Sequence, residues 1–286
     1  MSIAIPLTPQ QFRSTIIVAG SFSGGGGGTG LAGGPRLLDQ AAQPPSPRAD
    51  SIDIHFDLAV ATTVTYYANG KHLQSGGDVV GFRPAIPGPP PGRAQAVYLP
   101  FLANNIASAV LPPAGVDCFF TDALSGCAVF VDRAPGGQLV VYHGNAMAHC
   151  PNRAAVLANP DVLRADSLDF YGAMNHMAGL HVTAMADRAA ALGALTPVAH
   201  LQRNTYMACV DAAVARKREQ KRTNVDLAGT GTNVMGFLVG GAWQFWWQTW
   251  AKLTYTRPEN TLKGVFKGRE HGIAEPAKLL AAERFA

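Results

Sequence analysis

Two short runs with strand-forming composition, separated by a glycine- and proline-containing turn, constrain the fold more than any other feature of this sequence. The run CAVFVDR covers residues 127–133 and the run QLVVYH covers residues 138–143. Both are rich in β-branched and aromatic residues, and the APGG segment between them contains the residues that tight turns favour. The sequence therefore predicts a β-hairpin whose sheet must bury at least one face against another layer.

Length and composition exclude several classes of protein. A chain of 286 residues is long enough to bury a substantial core. With 48% hydrophobic and 15% charged residues it is neither a disordered polyelectrolyte nor a long coiled coil. A formal net charge of +4 does not require a nucleic-acid partner, and we expect none. Four cysteines are too few for a disulfide scaffold.

No targeting or membrane segment of the usual kind stands out. The first twelve residues lack a basic region followed by an apolar one, so we expect no cleaved signal peptide. The most apolar stretch, residues 234–250, is interrupted by glycines and glutamines and is shorter than the roughly 20 apolar residues of a membrane span. We therefore expect no membrane span.

The chain divides into a glycine- and proline-rich segment and a single domain. Residues 1–50 contain a short strand-like run at 14–19, followed by a glycine run and more proline. No Lys-Ser or Lys-Thr pair follows those glycines, which argues against a phosphate-binding loop and favours a partly flexible segment. Residues 51–286 are predicted to form one catalytic domain.

Strand-like and helix-like patterns do not alternate regularly in that domain. Residues 51–68 alternate apolar and polar side chains, which predicts a strand or a hairpin. The alanine-rich stretch 152–222 predicts helices with a break near Pro197, and residues 237–255 predict strand. The tail from Glu275 predicts a terminal helix. The pattern indicates an α+β fold or a mixed-sheet sandwich.

Four tryptophans cluster between residues 243 and 250. In a helix, Trp243, Trp246, Trp247 and Trp250 share one face, whereas in a strand Trp243 and Trp247 share a face that excludes Trp246. Both alternatives predict core packing rather than a ligand-stacking site.

The predicted hairpin brings a thiol and an imidazole together. A loop of three residues (134–136) or five residues (133–137) puts Cys127 directly opposite His143, where cross-strand Cβ atoms lie about 5 Å apart. A loop of even length puts them on opposite faces unless a bulge intervenes. A thiol beside a neutral imidazole can become a thiolate, the nucleophile of cysteine chemistry.

The turn before Cys127 completes the candidate site. Residues 124–126 deliver Cys127 from a tight bend that we expect to be exposed, and the backbone at Ser125 and Gly126 is a candidate oxyanion site. Thr121, six residues before Cys127, is a candidate for orienting the imidazole. The pattern predicts a catalytic group of nucleophile, base and orienting hydroxyl.

The other cysteines and the acidic residues near the candidate site have structural interpretations that need no chemistry. A buried cysteine often packs as a small hydrophobe, which we expect for Cys118, Cys150 and Cys209. The cysteines and histidines have no C-x₂-C spacing, so we predict no metal site. Asp122 and Asp132, which flank the candidate site, are expected to be solvated turn carboxylates.

Thr121, Leu124-Ser125-Gly126-Cys127 and His143 together resemble the signature of a glutamine deamidase superfamily. Its members include the cytotoxic necrotizing factor catalytic domain, the Burkholderia lethal factor and the CheD-like deamidases. The resemblance covers residues 117–146 and implies Cys127 as nucleophile, His143 as base and Thr121 as orienting group. It also implies a compact sandwich of mixed β-sheets surrounded by helices and loops.

The function implied by this resemblance is that of a cysteine-dependent protein-glutamine glutaminase without a cofactor. Such a toxin or effector converts a specific glutamine of a host protein to glutamate through a cysteine thioester. The expected partner is a protein substrate such as a small GTPase or a translation factor. We expect a monomer, secreted without a cleaved signal peptide, that acts in the host cytosol. A non-catalytic binding effector on the same fold and a transglutaminase-like amine transfer are the alternatives.

Overall fold

Strands dominate the part of the chain that the structure describes. The structure is a computed structural model, and it describes residues 8–14, 16–19, 56–68, 71–84, 96–99, 105–116, 118–124, 126–146, 163–221, 224–257, 271–275 and 277–286. The helices there are α1 (Pro9–Ser14), α2 (Leu163–Leu192) and α3 (Arg203–Lys221). The strands there are β1 (Ile16–Ala19), β2 (Phe56–Ala68), β3 (Lys71–Pro84), β4 (Ala96–Leu99), β5 (Ile106–Leu111), β6 (Cys118–Thr121), β7 (Ala128–Arg133), β8 (Leu139–Gly144), β9 (Thr196–Leu201), β10 (Val225–Val239), β11 (Ala242–Arg257), β12 (His271–Ala274) and β13 (Lys278–Arg284).

These strands form three sheets. One has four antiparallel strands in the order β5-β8-β7-β9, and a second has the order β12-β11-β10-β6-β4, with β13 also paired to β11. The second sheet is mixed, because β4 runs parallel to β6 while its other pairs are antiparallel. Strands β1, β3 and β2 form the third sheet. The predicted α+β sandwich with mixed sheets is confirmed.

The four-stranded sheet is buried on both faces. On its inner face, Val129 of β7 packs in one cluster with Phe119 and Phe245 of the six-stranded sheet. On its outer face, Phe130 packs with Met177 of α2. Adjacent residues of a strand point to opposite faces, so the near-continuous apolar sequence of β7 and β8 follows from this double burial.

Helix α3 covers part of the six-stranded sheet. Its Val210 is buried in a cluster with Val225, Ala251 and Leu253 of β10 and β11. The preceding turn of the same helix carries Tyr206, which is fully buried in the core between the two sheets. Helix α3 therefore reaches the interior of the sandwich beside the hairpin β7–β8.

Two predicted helical segments are strands in the structure. Thr196–Leu201 forms β9 on the edge of the four-stranded sheet, where Pro197 is compatible with strand structure. Lys278–Arg284 forms β13 along β11, so the prediction of a terminal helix is wrong. In β13 the helix-favouring composition is overridden by backbone hydrogen bonds to β11, whereas β9 contains Pro197, near which a helix break is predicted. The prediction of helix over most of 163–221 is confirmed by α2 and α3.

The strand predictions for residues 14–19, 51–68 and 237–255 agree with β1, with β2 and with the β10–β11 hairpin, except that Ser14 ends α1. Because β11 is extended, Trp243 and Trp247 share the core face. The glycine run lies outside the described residues, and the division at residue 50 stays a prediction. Among the helices of the described ranges, none has the length and apolar character needed to cross a membrane.

Candidate active site

The turn that precedes Cys127 is tied to the six-stranded sheet. The Leu124 N–H donates to the carbonyl oxygen of Thr232 in β10 at 2.7 Å. Gly126 then has a φ of +142°, a region that side chains rarely adopt, although a Cβ there meets no atom within 4 Å. Glycine is therefore required at this position by the backbone conformation and not by lack of space.

Tyr206 of α3 holds the backbone on both sides of the Gly126–Cys127 peptide. Its hydroxyl accepts a hydrogen bond from the Gly126 N–H at 2.9 Å and donates to the Cys127 carbonyl oxygen at 3.2 Å. Burial raises the pKa of Tyr206, so the phenol keeps the proton that it donates. The Gly126 N–H, expected from the sequence to serve an oxyanion, is thus already engaged, and Ser125 lies outside the described residues.

The register of the hairpin differs from the predicted one by two residues. His143 lies opposite Val129, and the five residues 134–138 connect the two strands. The prediction that Cys127 lies directly opposite His143 is therefore wrong. Because the displacement is an even number of residues, the two side chains stay on the same, inner face of the sheet.

Asn145 occupies the position next to Cys127 that was assigned to His143. It follows β8 immediately, and its side-chain Nδ2 donates to the Cys127 Sγ at 3.2 Å. Its backbone N–H donates to the Asn105 carbonyl oxygen at 2.9 Å, which fixes the end of β8. Asn145 is not among the residues predicted from the sequence, although its spacing of two residues from His143 puts both on one face of an extended chain.

Thr121 and His143 meet across the sandwich. Thr121 ends β6 in the six-stranded sheet, and its hydroxyl donates to the Leu99 carbonyl oxygen at 2.8 Å. The same oxygen contacts His143 Nδ1. A hydroxyl has one proton, which is committed to Leu99, so Thr121 accepts from an Nδ1–H and the lone pair of the neutral ring is on Nε2.

The whole group is buried. The exposed fraction is 0% for Thr121 and His143, 2% for Cys127 and 7% for Asn145. Burial lowers the pKa of His143 to about 3, so the resting imidazole is neutral at physiological pH. The expectation that Cys127 leaves an exposed bend is wrong.

The two flanking aspartates are buried rather than solvated. Asp122 accepts a hydrogen bond from the Tyr98 hydroxyl at 2.7 Å. Asp132 has no exposed surface and lies 2.9 Å from His181 Nε2 of α2, on the opposite face of the sheet from Cys127. The prediction of solvated turn carboxylates is wrong for both.

Within the described ranges, the His, Cys, Asp and Glu side chains form no group of three or more that could hold a metal ion. His149 and Cys150 lie outside those ranges. No protein-family model matches this sequence, and no curated protein matches it either. The chemistry of the site is therefore inferred from its own geometry and from the motif in residues 117–146.

Proposed function

We propose that this protein is a cysteine-dependent protein-glutamine glutaminase, a toxin or effector that converts a glutamine of a host protein to glutamate. One observation carries the proposal: the contact of Thr121 with His143 Nδ1, which leaves a basic Nε2 on the sheet face that also bears Cys127. A buried thiol, a neutral imidazole and a hydroxyl that selects the tautomer are the parts that nucleophilic cysteine chemistry needs.

In this proposal His143 Nε2 takes the thiol proton as Cys127 Sγ attacks the carboxamide carbon of the glutamine. The imidazolium then gives a proton to the amide nitrogen, the C–N bond breaks and ammonia leaves. The resulting thioester is hydrolysed by water, whose proton passes through His143 while Sγ leaves as the thiol. The net reaction is glutamine and water to glutamate and ammonia, with no cofactor.

Burial of the resting site supports an enzyme that acts on a protein surface. A neutral imidazole in a closed site accepts a proton only when a thiolate or an oxyanion forms beside it. The Nδ1–H bond to Thr121 then stabilises the imidazolium. Because Cys127 is 2% exposed, we expect target binding to widen the access of its glutamine to Sγ. Target binding and catalysis are thereby linked.

The setting of the reaction is proposed from the motif alone. The resemblance of residues 117–146 to the deamidase signature supports a host protein as substrate, with small GTPases and translation factors as the first targets to examine. It also supports a monomer that acts in the host cytosol.

The direct test is mass analysis of host-cell proteins after exposure to the wild-type chain and to a Cys127→Ser variant. Replacing NH₂ by OH adds about 1 Da at the modified glutamine. The proposal requires that gain with the wild-type chain and its absence with Cys127→Ser. Added primary amine should leave the product unchanged; an amine adduct in its place would establish amine transfer instead.

A non-catalytic binding effector is the second candidate, because Cys127 and His143 are so deeply buried. For this candidate the Cys127→Ser variant keeps the full effect on cells, and no host glutamine changes mass. A Cys127→Ser variant that folds but has no effect on cells would exclude it.

A further inference from the structure

Acyl chemistry at Cys127 needs a hydrogen-bond donor for the oxyanion, and the Gly126 N–H is already engaged. The Gly126 N–H donates to the hydroxyl of Tyr206, which in turn donates to the Cys127 carbonyl oxygen. Tyr206 is fully buried, so this bridge is a fixed part of the core. A negative oxygen that forms at the substrate is therefore not met by the Gly126 N–H, and a side-chain donor beside Sγ becomes the candidate.

We infer that the side-chain amide of Asn145 is that donor, an inference that rests on the proposed acyl chemistry at Cys127. Asn145 Nδ2 lies 3.2 Å from Cys127 Sγ. The substrate oxygen is two bonds from Sγ once the Sγ–C bond has formed. A donor that already touches Sγ is therefore within range of the distance of about 2.7–3.1 Å that oxyanion donors require.

Asn145 is held in position before any substrate arrives. Its backbone N–H is bonded to Asn105, it follows directly after β8, and it is 7% exposed. A carboxamide carries two N–H donors and no charge, so it meets a negative oxygen without requiring a buried cation. In a site from which water is excluded, such a fixed donor is far more effective than in water.

The step can be written with its balance of atoms and electrons. The Sγ electron pair forms the bond to the carbonyl carbon, the C=O π pair moves to oxygen, and the thiol proton goes to His143 Nε2. The N–H of Asn145 donates to the new oxyanion. When the oxygen pair returns, the leaving group departs and the thioester carbonyl remains.

Two reactions of Cys127 Sγ distinguish a role of Asn145 as oxyanion donor from a purely structural role. Acylation of Cys127 by p-nitrophenyl acetate passes through an oxyanion and releases p-nitrophenolate. Alkylation of Cys127 by iodoacetamide is a displacement that forms no oxyanion. Both are measured on the full chain by mass analysis of the peptide that contains Cys127, with Cys127→Ser as the background.

Asn145→Ala should slow acylation by about 10²–10³-fold, the usual loss for one oxyanion donor. Its alkylation should stay within about threefold of the wild-type rate. Asn145→Leu, which removes both N–H donors and keeps an uncharged side chain of similar size, should give the same pattern. Asn204→Ala, at an exposed position of α3, is the matched control and should change neither rate.

Four results would overturn the inference: acylation and alkylation that fall together, acylation that is unchanged, a wild-type Cys127 that reacts with neither reagent, or a failure of both Asn145 variants to fold. The proposed function fails separately. An enzyme whose acylation depends on Asn145 but which converts no host glutamine keeps the inference and loses the function. Glutamine conversion that is unaffected by Asn145→Ala would keep the proposed function and overturn the inference about Asn145.

Discussion

The four-stranded sheet carries one buried histidine site on each face, and the two sites differ in their partner groups. On the inner face His143 contacts the neutral hydroxyl of Thr121. On the outer face His181 of α2 contacts the carboxylate of Asp132 at 2.9 Å and stacks on Phe130, with ring centroids 4.2 Å apart. Both histidines are buried: His143 lies within the sandwich, and His181 lies where α2 packs on the outer face.

The outer site joins two elements of the fold. His181 and Arg188 lie on the same helix, and Arg188 donates to the hydroxyl and the carbonyl oxygen of Ser108 in β5, each at 3.0 Å. The pair of His181 with Asp132 ties α2 to β7 in the same way. These contacts satisfy polar groups that would otherwise be buried without partners, and their main role is stability.

The inner site is arranged around a sulfur instead. Thr121, Asn145 and Tyr206 come from three different elements and act on His143, on Sγ and on the backbone of Cys127. A neutral hydroxyl beside His143 fixes a tautomer without supplying a charge, which keeps the ring a base. Under the proposed function, histidine therefore serves packing where its partner is a carboxylate of the fold, and chemistry where its partner is a hydroxyl beside a thiol.

Replacing His143, the histidine of the inner face, should have the largest effect of the substitutions that compare the two sites. His143→Gln should lower turnover of a glutamine substrate by roughly 10²–10⁴-fold, because it removes the base. His200→Gln, at an exposed position of β9, should leave turnover unchanged. Steady-state ammonia release measures both. Turnover equal to wild type in His143→Gln would remove His143 from the mechanism.

On the outer face, Asp132→Ala should reduce the free energy of unfolding by about 1.5–3 kcal/mol, because the buried hydrogen bond to His181 Nε2 is lost. Turnover per folded molecule should not change. Urea denaturation and ammonia release at a temperature well below the midpoint measure the two quantities. Lost turnover with unchanged stability would mean that the outer site takes part in catalysis.

Thr121→Val sharpens the comparison within the inner site. It keeps the branched shape and removes the acceptor for the Nδ1–H, so turnover should fall by about 10–100-fold, or about 1.4–2.7 kcal/mol in barrier. Loss of the bond to Leu99 should also cost about 1 kcal/mol of stability. An unchanged rate would transfer the orienting role from Thr121 to another group.

The smallest effect is a pH dependence of stability. The pKa of His143 is about 3 in the folded protein against 6.5 for an ordinary histidine, so the unfolded chain binds more protons between these values. Stability therefore rises with pH through this window and falls on acidification. The His143 contribution should drop by about 1 kcal/mol from pH 6 to pH 5.

Denaturant midpoints of wild type and His143→Gln at these two pH values measure that contribution. The variant should lose less stability than the wild type on acidification, and His200→Gln should follow the wild type. Equal pH slopes in wild type and His143→Gln would contradict the burial of a neutral imidazole.

The local sequence determined the hairpin of β7 and β8, the α+β class and the strand character of β11, because residue type, alternation and turn composition act over a few neighbours. It left the length of the loop open: an odd-length loop puts Cys127 and His143 on one face and an even-length loop does not, and the structure has the five residues 134–138. Thr121 was chosen as the orienting residue by its spacing from Cys127, and the structure brings its hydroxyl to His143.

Only the tertiary structure decided the rest. The hairpin register, which differs by two residues from the predicted one and puts Asn145 beside Cys127, depends on the hydrogen bonds that form in the turn. Neighbouring registers have similar local energy, so the local sequence does not select among them. Tyr206 lies 80 residues from Gly126, and β13 is a strand only because β11 offers it an edge. The burial that lowers the pKa of His143 comes from the packing of two sheets. These features depend on contacts between distant segments, which the pattern along one segment does not contain.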